Sequence, residues 1–141
     1  MNATLIQLAR QAALAHQLPG DLVCAVCERE SSWNPNATRF EPAFQHHYVD
    51  KLNLPPTEAK QRATSYGLMQ LLGEVARELG YKGDIPALCD PATGLEWGCR
   101  HLANKLRYAG GDMHVALQHW NGGGNPNYAQ EVEAMIPRYE S

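Results

Sequence analysis

The chain alternates between helical stripes of apolar residues and short Gly/Pro punctuation. Leu5, Leu8, Ala12 and Ala15 recur at three to four residues with Gln7, Arg10 and Gln11 between them, which predicts an amphipathic helix over residues 1–17. Pro19-Gly20 ends it, Asp21 stands where an N-cap would, and a second helix is expected to Ser32, broken by Trp33-Asn34-Pro35-Asn36. Residues 37–64 are polar and irregular, with Pro42, Pro55 and Pro56, though Thr57-Glu58-Ala59-Lys60 has the pattern of a short capped helix. A stretch so long is read as short helices and turns decorating a site rather than as a bare loop. Helical spacing returns through Leu68, Leu71, Leu72, Val75, Ala76 and Leu79, so residues 67–79 are expected as helix, stopping at Gly80. Asp90-Pro91 opens a long amphipathic helix to Ala109, Asp112 caps another ending at Asn121-Gly122-Gly123-Gly124, and a last helix runs from Pro126 to Arg138. With no convincing strand, repeat or linker, the expectation is one all-α domain over residues 1–141, carrying an extended insertion at 33–65.

Composition narrows the class. A chain of 141 residues, 44% apolar, can bury ~70% of the surface its unfolded form exposes, which supports a core without metal or disulfide. No apolar run approaches the ~20 residues that span a bilayer, so membrane insertion is not expected. Twelve basic against fifteen acidic side chains, net −3, argue against a nucleic-acid partner, which is usually met by a basic stripe. A monomer is the expectation. The first helix lacks the basic flank and cleavage site of a signal peptide, so action outside the cytoplasm would need another export route. Cys24 and Cys27 form a C-x-x-C, but they sit in the apolar run Leu22-Val23-Cys24-Ala25-Val26. Core thiols are therefore favoured over a Cys89–Cys99 disulfide and over zinc. The adjacent His46 and His47 read as solvated or packing residues. Nothing here calls for a metal, nucleotide or redox cofactor.

Two glutamates, Glu28 and Glu30, end the second helix. At about 100° per residue, Leu22, Val26, Val23 and Cys27 span an arc of roughly 140°, with Glu30 near its middle and Glu28 on the far side, towards water. A carboxyl on an apolar stripe is costly to ionise, so its pKa should rise and it should hold a proton near neutrality, as a general acid must. The alternative is a glutamate that ends the helix in solvent or pairs with a nearby Arg or Lys.

Three segments turn this geometry towards a function. Glu30-Ser31-Ser32-Trp33-Asn34-Pro35, Ser65-Tyr66-Gly67-Leu68-Met69-Gln70 and Trp120-Asn121-Gly122-Gly123 together resemble the soluble lytic transglycosylase family. That family shares the lysozyme-like fold with goose-type lysozymes. Each motif alone is weak; their combination, in the family's order, is specific. The resemblance implies a lysozyme-like helical domain with a substrate cleft, acting on peptidoglycan glycan strands, with Glu30 as the single catalytic acid and base. It places Ser31 beside Glu30 and makes Ser65, Tyr66, Gly67, Met69 and Gln70 cleft residues. Gln70 is the better contact and Met69 is divided between core and cleft floor. Asn121 matches the asparagine of the family's A-Y-N motif, and Tyr128 matches a tyrosine expected to line the site.

Two departures stand out. Where the family has a tyrosine that donates a hydroxyl hydrogen bond near the carboxyl, this chain has Trp120, and an indole donates one N–H and accepts nothing. Trp120, His119, or a plain core role for the indole are the alternatives. The second departure is residues 33–65, a lid or subsite wall in which Phe40, Phe44 and Tyr48 either stack on sugars or pack onto the domain. Glu41, Asp50 and Glu74 are conceivable second carboxyls, each read as a solvated surface acid. A lone acid suits a substrate whose N-acetyl group shields the developing charge, the exception to the two-carboxylate rule. Attack by the muramic C6 hydroxyl gives a 1,6-anhydro end; attack by water makes the enzyme a muramidase. The rival outside catalysis is a glycan-binding module of a larger assembly.

Overall fold

The computed structural model describes residues 3–140. Its centre is helix α2 (Gly20–Ser31), in which Leu22 to Cys27 are all buried, none more than 1% exposed. This is not the one-sided stripe that the spacing predicts. Helix α1 (Ala3–Ala15), α8 (Tyr128–Met135) and the C-terminal 3-10 turn Ile136–Tyr139 pack around it, and a helix apolar on all sides is a core helix. Helix α1 buries Leu5, Ala9 and Ala13, while Leu8 and Ala12 are half-buried and Ala15 is exposed, a small rotation from the expected stripe. Cys24, Cys27 and Cys99 are fully buried, and Cys89 is half-buried; all four are free thiols.

The long helix α6 (Pro91–Tyr108) is capped by Asp90, whose carboxylate accepts from the Thr93 N–H at 3.1 Å, with Pro91 at its first position. It buries Gly94, Leu95, Gly98, Cys99, Leu102 and Ala103. Helix α7 (Met113–Trp120) is capped by Asp112 as expected, accepting from the Val115 N–H at 3.2 Å.

Residues 67–79 do not form the expected helix, and strands are present. Strands β1 (Thr38–Phe40), β2 (Thr64–Tyr66) and β3 (Leu71–Leu72) make an antiparallel sheet in that order. Between β2 and β3 the chain turns over Gly67 to Gln70, the Gln70 N–H reaching the Gly67 carbonyl at 3.1 Å. Only Gly73–Glu78, helix α5, is helical there. The apolar spacing that suggests a helix arises because Leu68 and Met69, at the turn's tip, are plugged into the main core at 1% exposure. Gly67 adopts φ +79°, and a Cβ on it would meet the Leu88 carbonyl oxygen at 2.6 Å. Gly67→Ala should therefore lower unfolding free energy by about 3 kcal/mol in urea titrations. A loss under about 0.5 kcal/mol would mean that the turn relaxes freely.

The 33–65 segment folds as β1, a helical turn α3 (Pro42–Phe44) that runs into a π turn at Gln45–Val49 and a 3-10 turn at Asp50–Leu52, and helix α4 (Pro56–Arg62). Val49, Ala59 and Ala63 form its small core, with Phe44 and Leu54 against it. Phe40 and Tyr48 stay exposed, and His46 and His47 are exposed with their rings in edge contact at 5.1 Å. Helix α4 is tied to α5 by the ion pairs Glu58–Arg77 at 3.0 Å and Arg62–Glu74 at 3.3 Å, with Glu58 and Arg62 paired along α4 itself at 2.7 Å. Hydrogen bonding from Arg77, then from Arg62, holds the Glu58 carboxyl below its usual range.

Candidate active site

Glu30 occupies the last turn of α2, and the chain leaves the helix there by two consecutive left-handed residues, Ser32 (φ 51°) and Trp33 (φ 65°). Two anchors fix this end. The Ser31 hydroxyl sits 2.9 Å from the Cys27 carbonyl and 2.8 Å from the Leu68 carbonyl, stitching α2 to the 67–70 turn. The Trp33 indole N–H donates to the Tyr139 hydroxyl at 2.9 Å, and that hydroxyl donates to Glu28 Oε1 at 2.6 Å. Arg138 pairs with the other Glu28 oxygen. Glu28 therefore does not point freely to water as the helical wheel suggests; the C-terminal turn covers it, leaving its side chain 19% exposed. Glu28→Gln should cost about 1–2 kcal/mol of stability by thermal melting while leaving turnover per folded molecule close to wild type. A loss of turnover larger than the loss of folded protein would place Glu28 in the chemistry.

Glu30 is half-buried, and its Oε2 accepts a hydrogen bond from the Tyr128 hydroxyl. Desolvation dominates its environment and raises its pKa. Hydrogen bonds from Tyr128 and the Trp120 indole, with the Arg29 and Arg39 charges, offset part of that rise. Tyr128 is 1% exposed, and burial together with the adjoining Glu30 charge pushes its phenol up, so it keeps its proton and donates it to the carboxyl. Its position is set by the α7–α8 joint. Gln118 Oε1 accepts from the Ala129 N–H at 2.7 Å, satisfying a free donor of the first turn of α8, while its Nε2 donates to the Asn125 carbonyl at 3.3 Å. Arg29 lies over the Tyr128 ring at 5.4 Å and pairs with Glu131 at 3.4 Å.

Glu30 opens on a cleft of about 480 Å³. Its walls include Arg29, Arg39, Glu41, Phe44, Ser65, Gln70, Leu72, His101, Trp120 and Asn121. The sheet supplies one wall by alternation. Arg39 lies opposite Ser65 on β1 and β2, and Ser65 opposite Leu72 on β3, so these three share a face and line the cleft. Asn121 caps the α7 end: with its amide oxygen turned to the glycine loop, it accepts from the Gly124 and Asn125 N–H groups at 3.2 and 2.8 Å.

Of the expected site residues, Glu30, Ser65, Gln70, Trp120 and Asn121 line this cleft and Tyr128 stands behind Glu30. The other four lie elsewhere. Tyr66 is turned by the pleat to the opposite sheet face and packs with Leu71, Ile85 and Leu88 at 6% exposure. Gly67 is buried and donates its N–H to the Ala37 carbonyl at 2.8 Å. Met69 is core rather than cleft floor, its side chain filling the space that Gly98 leaves on α6. Ser31 is a brace, its hydroxyl engaged by two carbonyls. The Gln70 amide also has partners already, donating to the Ala37 and Gly67 carbonyls at 2.9 and 3.0 Å. His119 lines a neighbouring cavity, not the cleft.

Among the carboxyls considered as a second group, Glu41 lines the cleft but pairs with Arg39 at 3.0 Å. Glu74 is bound to Arg62 and only 12% exposed, not the surface acid expected. Asp50 accepts from Gln45 at 3.1 Å. His101, from the middle of α6, carries no sequence signal that marks it, yet it lines the cleft with its ring 5.3 Å from that of Trp120. Among the described residues, no group of three or more His, Cys, Asp or Glu side chains is placed to hold a metal ion.

A helical domain built on a buried central helix that delivers one desolvated carboxyl to an open cleft belongs to the lysozyme-like class. More narrowly, the family model for the transglycosylase SLT domain matches residues 7–136, and the chain belongs to that family. No curated protein and no solved structure matches it significantly. Members of the family cleave peptidoglycan of the cell wall by lytic transglycosylation. Among the described residues no helix is long and apolar enough to cross a membrane.

Proposed function

We propose that the protein is a lytic transglycosylase that cuts the β-1,4 bond between N-acetylmuramic acid and N-acetylglucosamine, with Glu30 as sole acid and base. The observation that carries this reading is the Glu30 carboxyl itself, raised in pKa by desolvation and facing a cleft whose other carboxyl, Glu41, is neutralised by Arg39. Protonated Glu30 gives its proton to the glycosidic oxygen as the C1–O bond breaks, the bonding pair leaving with that oxygen. The substrate's N-acetyl carbonyl shields the charge left at C1. Glu30, now a carboxylate, removes the proton from the muramic C6 hydroxyl, and that oxygen bonds to C1. The acid is regenerated and no water is consumed. Tyr128, holding one carboxylate oxygen, orients the group through both steps.

Digestion of purified peptidoglycan followed by mass measurement of the fragments tests this. Fragments one water lighter than hydrolytic ends support the proposal; ordinary reducing ends make the enzyme a muramidase. Intact sacculi that bind the protein without being cut would leave a glycan-binding module.

A further inference from the structure

Trp120 and His101 form a two-ring wall shared by two cavities. On one side lies the cleft with Glu30; on the other lies a cavity of about 490 Å³ lined by Val75, Glu78, Lys105, Tyr108 and His119 among others. The rings come from different helices, His101 from α6 and Trp120 from the end of α7, with centroids 5.3 Å apart and planes at 43°. Trp120 is half-buried and lines the cleft with Glu30, its indole N–H lying towards both the Glu30 carboxyl and the Tyr128 hydroxyl. The ring packs against the main core, and in the wall of the second cavity it meets the His101 ring.

We propose that His101 is a positioning residue that keeps the Trp120 indole on Glu30, backing the ring from the second cavity and stopping it from swinging out of the cleft. The inference rests on Glu30 being the acid and base. Burial, with the nearby Lys105 charge, pushes the His101 pKa down to about 4. The ring is therefore neutral wherever the wall is a substrate, and packs against the indole without adding a charge beside Glu30. The charged and titratable groups around Glu30 are Arg29 and Cys27 of its own helix, Tyr128 of α8, Arg39 of β1 with its partner Glu41, and His101 itself across the cleft. Lys105, Glu78 and His119 face the second cavity together with His101. All of these but His101 stay in place in the variants below, so a shift of the Glu30 titration reports the indole.

The test compares wild type, His101→Ala and His101→Phe on purified peptidoglycan. His101→Ala should lower kcat about tenfold with KM nearly unchanged, because the loss is one of placement rather than of substrate contact. The alkaline limb of kcat/KM, where the acid is lost by ionisation, should move to higher pH, since a carboxyl that loses a donor is harder to ionise. His101→Phe restores an aromatic face and should restore both. If His101→Ala fails to fold, His101→Asn removes the ring and is expected to behave in the same way. A second readout needs no turnover: the Trp120 indole N–H resonance, assigned by its disappearance in Trp120→Phe, should follow the Glu30 titration in wild type. It should be flat in Glu30→Gln and in His101→Ala. An unmoved alkaline limb and a wild-type resonance titration in His101→Ala would overturn the inference. A wild type that never cuts peptidoglycan would overturn the proposed function instead, and the resonance titration would still decide the role of His101.

Discussion

Glu30→Gln abolishes turnover of peptidoglycan, by about 10⁴-fold in kcat, because one group supplies both proton transfers. Glutamine keeps the shape and can still accept from the Tyr128 hydroxyl, so the fold should be unperturbed. Stability moves the other way. The folded-state pKa of Glu30 lies above its ordinary 4.5, so between those two values the folded chain binds more protons than the unfolded one. Wild type therefore loses stability as pH rises through that window, and the deficit persists above it. The variant has no such group. Urea titrations should show the two proteins differing least well below 4.5 and the variant gaining on wild type towards neutral pH. An active Glu30→Gln enzyme, or a variant whose relative stability does not change with pH, would remove Glu30 from the role of buried acid.

Tyr128→Phe gives the second large effect. The phenol is buried, donates to Glu30 Oε2, and is held protonated by burial and by the neighbouring carboxylate. Without the hydroxyl, the carboxyl loses its principal donor. Its pKa should climb further, and the alkaline limb of kcat/KM, where the acid ionises, should shift to higher pH. The freed carboxyl also loses its fixed orientation, which should lower kcat by about 10²-fold. Phenylalanine fills the same space, so stability should fall by no more than about 1 kcal/mol. The pH profile separates a donor from mere packing: a fall in rate with an unmoved limb would mean that Tyr128 acts only by shape.

Much of the frame was legible in the chain. Helix ends marked by Asp90-Pro91 and Asp112 are read from local chemistry, since caps act over three residues and the partners Thr93 and Val115 are neighbours. Glu30 stands out at short range as a carboxyl beside apolar residues, and the motifs resembling the transglycosylase family, not the helix position alone, single it out over Glu28. The helical-wheel argument misplaced Glu28, because α2 is covered on several sides and the cover, Arg138 and Tyr139, lies at the other end of the sequence.

The 67–79 stretch shows the limit most clearly. Apolar spacing at three and four residues suits a helix, but Gly67 approaches the Leu88 carbonyl too closely for any side chain, and its neighbours drop into the core as a turn. Spacing records which residues are buried, not the backbone that buries them. The short strands followed from that turn, and with them the alternation that faces Ser65 to the cleft and Tyr66 away from it.

The sequence by itself determined the order of the long helices, three of the four thiols as core residues and the one acid out of place, because each depends on contacts within a few residues. Only the tertiary structure decided which groups meet that acid. Tyr128 reaches Glu30 across 98 residues of chain, and His101 reaches Trp120 from another helix. Such encounters depend on how helices cross, a relation that side-chain patterns along one chain do not encode.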